Sequence, residues 1–440
     1  MKIAKTILLF NLALLGTIAS LQAQVVVSNW PNGKKAALAI TFDDNCPGQF
    51  THARPALDTR GYKGTFFVIT GGSQCGLRNW DTLRSVASAG HEIGSHSVTH
   101  PQLQTLDTAR IGAELRDSYV ELQSQIPNLP NKLTIAWPNG RGGGSSRKED
   151  TIRRMAVRYY TGGRSASSGQ GWDQYWAFAN PFYSNYYLQV GTYLQGPNVT
   201  GAAMGQTVRA CLNAGGMMSL LYHGIETGGY NNIPNTLFVE HLDTLGNHQD
   251  LWITTFGQML RYHKQARQTT VTNVTSSNTY YGFTLADTLN PADYDETLSV
   301  KLDLASTGIV QTGNYDLDID GQRTGYRYVG TSDTIIFNAK RGQRINLSTV
   351  VGLANIWSPN WTLSPMPAQG SLTFRDNGGQ SIPTGSYTLQ DQLGRTVTEQ
   401  QVLQATNYLS LDVSSLPAGL YTLRIKSTTG IYCNKVIVKQ

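Results

Sequence analysis

The feature that most limits how this chain can fold is a change of period near Arg267. Before it, short apolar runs alternate with helical patterns; after it, only strand patterns remain. The runs expected as strands are Ala37–Phe42, Thr65–Ile69, His91–Gly94, Leu133–Trp137, Arg158–Tyr160, Tyr187–Val190, Met217–Tyr222 and Leu251–Thr255. Between them, Ile111, Leu115, Leu122 and Ile126 share one face of a helix that Asp107 is placed to cap. Gly90 stands where a helix from Trp80 to Ala89 should stop. Strands alternating with helices make a parallel sheet, and seven or eight such units can close into a barrel. Beyond Arg267, Leu298–Leu302 and Tyr315–Ile319 alternate strictly, and Asp320-Gly321 is a hairpin signal. Residues 268–363 are therefore expected as a β-sandwich of the usual module size. A second all-β unit, 364–440, starts near Ser364-Pro365-Met366-Pro367.

Composition excludes several classes. Charged residues make up only 15% of the chain, below the usual value of about 25%. The net charge of +6 over 440 residues, without a Lys/Arg run, gives no basic patch for nucleic acid. Lys2 and Lys5 precede an apolar run from Ile7 to Ala19, and Leu21-Gln22-Ala23 supplies a small residue at a cleavage point. That order is a secretory signal over 1–23, and no later run is long enough for a transmembrane helix. Export permits disulfides. Cys46 and Cys75 each follow an expected strand, so a bridge between neighbouring loops and two buried thiols both remain open.

The residues with chemistry cluster at strand ends. Ala37–Phe42 stops on Asp43-Asp44; two carboxylates there suit a turn or cap, or else metal and acid/base chemistry. His96 and His100 are four apart, and in a helical turn they would point the same way and share a metal. No glutamate separates them, so a third ligand must come from elsewhere, with Asp43 or Asp44 the nearest source. His223 ends the run Met217–Tyr222. In a barrel, all five would open onto one face.

At these residues the chain resembles the NodB-homology polysaccharide deacetylases, carbohydrate esterase family four. The likeness rests on Thr41-Phe42-Asp43-Asp44, His96-Ser97-Val98-Thr99-His100 and Leu221-Tyr222-His223, in that order, within 24–267. It implies a distorted (β/α) barrel, with Asp43 as catalytic base and His223 as general acid. Asp44, His96 and His100 would hold a divalent metal, Zn2+ foremost, and the Asn139 backbone would donate to the oxyanion. The family's third motif carries an Arg where this chain has Ala136, in Ala136-Trp137-Pro138-Asn139-Gly140. Arg164 and Arg141 are candidates to supply that guanidinium, with a surface arginine as the alternative. Asp173 and Asp250 are candidates for the acid that holds His223. Leu220 and Leu221 fall where the family lines its acetyl pocket. Trp80, Trp137, Trp172, Trp176 and Tyr222 are loop or strand-end aromatics that could stack on sugar rings, with a place in the core as the alternative.

The tail resembles a type IX secretion sorting domain. The likeness rests on Asp391-Gln392-Leu393-Gly394-Arg395, on Leu411-Asp412-Val413 followed by Pro417-Ala418-Gly419-Leu420-Tyr421, and on Lys435-Val436-Ile437-Val438-Lys439. The expectation is an α/β chain, a deacetylase barrel followed by two small β-sandwich modules. It would be exported through the type IX machinery to the surface or beyond, and would remove N- or O-linked acetyl groups from a polysaccharide. The other class open to this sequence is a glycan-binding surface protein that keeps the fold without the chemistry.

Overall fold

The first two strands go separate ways. β1 (Val25–Val27) pairs antiparallel with a strand far along the chain, Val25 opposite Leu302, whereas β2 (Ala36–Phe42) is the centre of a parallel sheet. The computed structural model describes residues 25–72, 74–75, 78–142, 146–166, 188–190, 192–309, 315–329, 332–349, 361–376, 385–391, 396–402, 408–427 and 430–439. The expected signal at 1–23, and Trp172, Asp173 and Trp176, lie outside the described residues.

The parallel sheet runs through β3 (Gly64–Val68), β4 (Glu92–Ser95), β5 (Leu133–Ala136), β6 (Tyr160–Arg164), β7 (Leu188–Val190), β8 (Thr192–Leu194), β9 (Met217–Tyr222) and β10 (Leu251–Thr254). Its order is β7-β6-β5-β4-β3-β2-β9-β8. The two ends, β7 and β8, flank position 191, so the sheet curls until its margins meet in the chain. One side of β2 is covered by β9; the other is covered first by β10, against Ala36–Ala39, and then by β3, against Ile40–Phe42. That shared edge distorts the barrel.

Period two decides what each strand buries. Leu38, Ile40 and Phe42 of β2 join the larger core, under the helices, with Leu57, Met204 and Phe238. Ala37 and Ala39 face the other way, with Phe67, Ala136 and Met217. Burial on both faces is why β2 reads as an unbroken apolar run. The helices are α1 (Arg54–Asp58), α2 (Trp80–Ser88), α3 (Thr108–Gln125), α4 (Arg147–Ala156), α5 (Gly201–Asn213), α6 (Asn235–Gly246) and α7 (Phe256–Gln268). Asp107 caps α3 by accepting from Arg110 N, and Ile111, Leu115 and Leu122 are its buried stripe, as expected. Gly90 ends the α2 segment at φ +85°. Phe256, Met259 and Leu260 of α7 pack onto the small interior side chains. Glu92 fixes that helix by accepting from Gly257 N at 2.7 Å, Thr65 Oγ1 at 2.9 Å and Thr134 Oγ1 at 2.6 Å.

Two barrel strands differ from expectation: β8 falls in no predicted run, and β6 has other bounds. β6 begins where the predicted Arg158–Tyr160 run was to end, and continues through Thr161, Gly162 and Gly163 to Arg164. Backbone pairing to β5 and β7 makes it a strand, and its glycines hide it from any hydrophobic pattern.

Beyond the barrel lie β11 (Thr270–Ser276), β12 (Tyr280–Ala286), β13 (Leu298–Asp303), β14 (Tyr315–Ile319), β15 (Gln322–Thr324), β16 (Arg327–Val329), β17 (Thr334–Ala339) and β18 (Arg344–Thr349). They form the sheets β1-β13-β17-β16 and β11-β12-β18-β14-β15, packed over Phe283, Val300, Leu317, Phe337 and Leu347. Asp320 and Gly321, both at positive φ, make the expected hairpin turn. Because β1 pairs with β13, a segment that precedes the barrel in sequence completes the first sheet of this module. Further strands from Trp361–Gln369 to Gly430–Lys439 form two more antiparallel sheets around a separate core that includes Leu372, Tyr387, Leu411 and Leu423. Among the described residues, no helix is long and apolar enough to cross a membrane.

Candidate active site

The expected catalytic, metal-ligating and oxyanion residues, and Arg164, sit at, or just beyond, the carboxyl ends of barrel strands. Asp43 and Asp44 follow β2, His96 and His100 follow β4, Asn139 follows β5, Arg164 ends β6 and His223 follows β9. The chain turns sharply after Asp43, with Asp44 at φ 75° and Asn45 at φ 57°. Asp and Asn tolerate this left-handed region better than other side chains, which is the local reason for Asp-Asp-Asn here. The turn aims the two carboxylates differently. Asn45 then fastens the loop to the end of β3, accepting from Ile69 N and donating to Ile69 O, both at 3.2 Å.

The histidine pair differs from expectation. Residues 96–100 form an irregular loop, not a helical turn, with Ser97 at φ 64° and His100 at φ 58°. The rings still converge, their centroids 4.6 Å apart, because Glu114 of α3 holds the loop. Its carboxylate accepts from Val98 N and Thr99 N at 2.9 Å each and from Thr99 Oγ1 at 2.6 Å.

Asp44, His96 and His100 each offer one ligand atom, all within 4.8 Å of one another. His96 Nε2 lies 3.5 Å from Asp44 Oδ1 and from Asp43 Oδ2; His100 Nε2 lies 3.7 Å from Asp44 Oδ1. His96 Nδ1 is 2.8 Å from Ala136 O, a carbonyl that only accepts. Nδ1–H therefore donates, and a metal-seeking lone pair is left on Nε2. Burial works to raise the Asp44 carboxyl, but the hydrogen bond and charge of His96, with His223 and His100, leave it below its ordinary value. Burial and the neighbouring His96 push His100 down to about 4, so it is a neutral imidazole at neutral pH. Two imidazole nitrogens and one carboxylate fit a divalent metal of the zinc type with coordination positions to spare.

Beside this triad, Asp43 is held from across the barrel. Arg164 Nη2 donates to Asp43 Oδ1, and its Nε donates to Thr41 Oγ1 at 3.0 Å. Arg164 is 1% exposed and lies over the Phe67 ring at 4.8 Å, so it is not a surface arginine. Burial lowers its pKa and Asp43 restores part of the loss; a guanidinium remains charged. Arg164 is the in-register partner of Ala136, so the guanidinium stands one strand over from the position where the motif has it. Arg141 is exposed. His223 Nε2 is 3.9 Å from Asp44 Oδ2, and burial pulls its pKa down against the pull of Asp43 and Asp44.

Other expectations change. Asp250 pairs with Lys35 at 2.6 Å, beside the amino end of β2, so it cannot hold His223. Trp137, Leu220 and Tyr222 face the helix layer and are essentially buried, Tyr222 hydrogen-bonding His241 at 2.9 Å. None of the three is a sugar-facing side chain. Leu221, alternating with them, is also buried and shares the strand face of Met217. Trp80 is half-buried at the start of α2. Cys46 and Cys75 form a disulfide between the β2 and β3 loops, and Cys211 is a buried thiol. Sequence reading missed Gln49, whose Nε2 donates to the carbonyls of both Asp43 and His223 and so ties two strand ends together. A lone buried amide leaves no signal in sequence.

Residues 31–159 match the polysaccharide deacetylase family model, and residues 362–439 match that of the secretion system C-terminal sorting domain. A gellan lyase of Bacillus sp. is 26% identical over 333 residues, 69% of this chain and 12% of its own length. A chitin deacetylase of Pestalotiopsis sp. is 33% identical over 105 residues, 22% of this chain and 32% of its own length. The chain thus spans a third or less of either relative. Among solved structures, a family 4 acetyl xylan esterase from Clostridium thermocellum aligns at 16% identity and TM-score 0.34, covering 51% of this chain and 89% of that one. The chain therefore carries a polysaccharide deacetylase domain, matched over residues 31–159, and ends in a secretion system C-terminal sorting domain.

Proposed function

We propose that this chain is an exported, metal-dependent hydrolase that removes N- or O-linked acetyl groups from a polysaccharide. One observation carries the reading: a buried carboxylate held by arginine, Asp43, stands beside a separate Asp-His-His ligand set, with His223 on the same face. Asp44, His96 and His100 would hold a divalent metal such as Zn2+, which would supply Lewis acidity toward the acetyl carbonyl and a lowered pKa for water. The protein's own groups do the rest. Asp43 accepts the proton of water as its oxygen bonds to the carbonyl carbon, and Arg164 keeps that carboxylate aimed. The Asn139 N–H donates to the oxygen that gains charge. His223 gives a proton to the leaving nitrogen or oxygen as the bond to the acetyl carbon breaks, releasing acetate. Leu221 walls the site on the methyl side. The tail supports delivery by the type IX machinery to the cell surface or beyond.

The test is acetate release from acetylated chitin, xylan and peptidoglycan fragments, with and without chelator. Release that chelator abolishes and metal restores is expected. Glycan binding with no acetate from any of them would leave the non-catalytic glycan-binding reading in its place.

A further inference from the structure

Tyr230 is 63% exposed, yet it lies against the site: its ring meets that of His223 edge to face, centroids 5.3 Å apart at 87°. Single exposed aromatics are common and mean little alone. Here the loop that presents the ring is anchored from below. Glu226 N donates to Ile233 O at 2.7 Å and Ile233 N to Gly224 O at 3.1 Å, while Ile225 and Ile233 are fully buried. Glu226 Oε2 accepts from Asn235 N at 2.8 Å. Gly229, at φ +90°, rests on the Cys46–Cys75 bridge; a Cβ there would be 2.6 Å from Cys46 Sγ. The loop is thus pinned to the β2 loop that carries Asp43 and Asp44, while its tip points out. An edge-to-face pair leaves at least one phenol face uncovered by His223. Such a face carries the negative lobe of the ring quadrupole and attracts the C–H face of a pyranose. Asn232 stiffens the same loop, its Nδ2 donating to Glu226 O at 3.3 Å, and Asn231 beside the ring carries an amide suited to sugar hydroxyls.

Building on the deacetylase reading, we propose that Tyr230 is a sugar-stacking platform that seats the glycan residue next to the acetylated one, setting a preference for oligomers over single sugars. The test compares wild type, Tyr230→Ala and Tyr230→Phe with tetra-N-acetylchitotetraose and acetylated xylotetraose, reading Kd by calorimetry and kcat and KM by acetate release. Tyr230→Ala should raise Kd and KM for the oligosaccharide that wild type binds about tenfold, a change of ~1.4 kcal/mol. Its kcat should fall far less, and Tyr230→Phe should retain wild-type values. Unchanged Kd and KM in Tyr230→Ala would overturn the platform, as would wild type that binds neither tetramer. A fall in kcat matching that in kcat/KM would also overturn it, because the ring would then act through His223. If Kd responds but wild type releases no acetate, the platform stands and the hydrolase reading fails; the reverse pattern removes only the platform.

Discussion

The guanidinium of Arg164 donates to the carboxylate of Asp43 although the two are 121 positions apart in sequence. The last residue of β6 thereby supplies what its in-register neighbour on β5, Ala136, lacks. This relocation is testable. Arg164→Ala should lower kcat by at least tenfold while bound metal stays stoichiometric. Because breaking a buried ion pair costs about 3–5 kcal/mol, thermal stability must be followed alongside. The pair Ala136→Arg with Arg164→Ala should recover part of the lost activity, since the new guanidinium starts from the adjacent strand at the same level. Wild-type turnover in Arg164→Ala would show that Asp43 needs no partner.

Asp43 and Asp44 should separate cleanly. Asp43→Asn is expected to keep metal and fold but to lose activity by roughly 10²–10⁴, the span for removing a general base. His223→Ala should behave likewise. His96→Ala and His100→Ala should lose most of the metal, as measured by elemental analysis of the purified protein. Full metal occupancy in both would refute the ligand set.

The Cys46–Cys75 bridge closes a segment with a sequence separation of 29, for which chain entropy gives roughly 3–4 kcal/mol. Cys46→Ser should lower the melting temperature by several degrees. It should also loosen the loop bearing Asp44, seen as weaker metal affinity in competition with a chelator. A drop in melting temperature with unchanged affinity would confine the bridge to a stabilising role.

Acid should destabilise the barrel through His91. Its Nδ1 accepts from Gly64 N at 3.0 Å, so the ring is needed neutral, and its Nε2 faces Asp58 Oδ1 at 3.1 Å. Burial lowers the His91 pKa below 6.5, with Asp58 opposing and Lys63 assisting. For a base lowered on folding, the contribution is present above the unfolded pKa and is lost as pH falls below about 6.5 towards the folded value. The melting temperature should therefore drop between pH 7 and pH 5. His91→Asn, which keeps an acceptor for Gly64, should flatten that drop in part, because burial also lowers His241. An equally steep drop in the variant would clear His91.

Truncation after residue 360 should leave acetate release intact. Among the described residues, the tail's core, including Leu372, Leu389 and Leu411, contains no barrel residue. Loss of activity in a folded truncate would show that the tail contributes to the chemistry.

How much was legible depended on how local the cause is. The runs at Ala37–Phe42 and Met217–Tyr222 and the stripe Ile111, Leu115, Leu122 declared themselves because burial repeats at the period of the element. Asp43, Asp44, His96, His100 and His223 stood out because polar groups that end buried strands are conspicuous. β6 did not, since Gly162 and Gly163 pair through backbone alone. The direction of aromatic side chains was lost too: Trp137 and Tyr222 turned out to be core. Tyr230 went unnoticed between Gly228-Gly229 and Asn231-Asn232, a turn-like setting with no apolar neighbour to bury it.

The sequence by itself determined the alternation of strand and helix, the switch to β modules and which residues crowd the strand ends, because these follow from nearest-neighbour chemistry and fixed periods. Tertiary structure alone decided that β1 joins β13, that Gln49 and Glu114 lock the site loops, and that Arg164 reaches Asp43. Those pairings depend on how the sheet curls. The curl brings distant strand ends within a few ångströms, where no short-range pattern can record them.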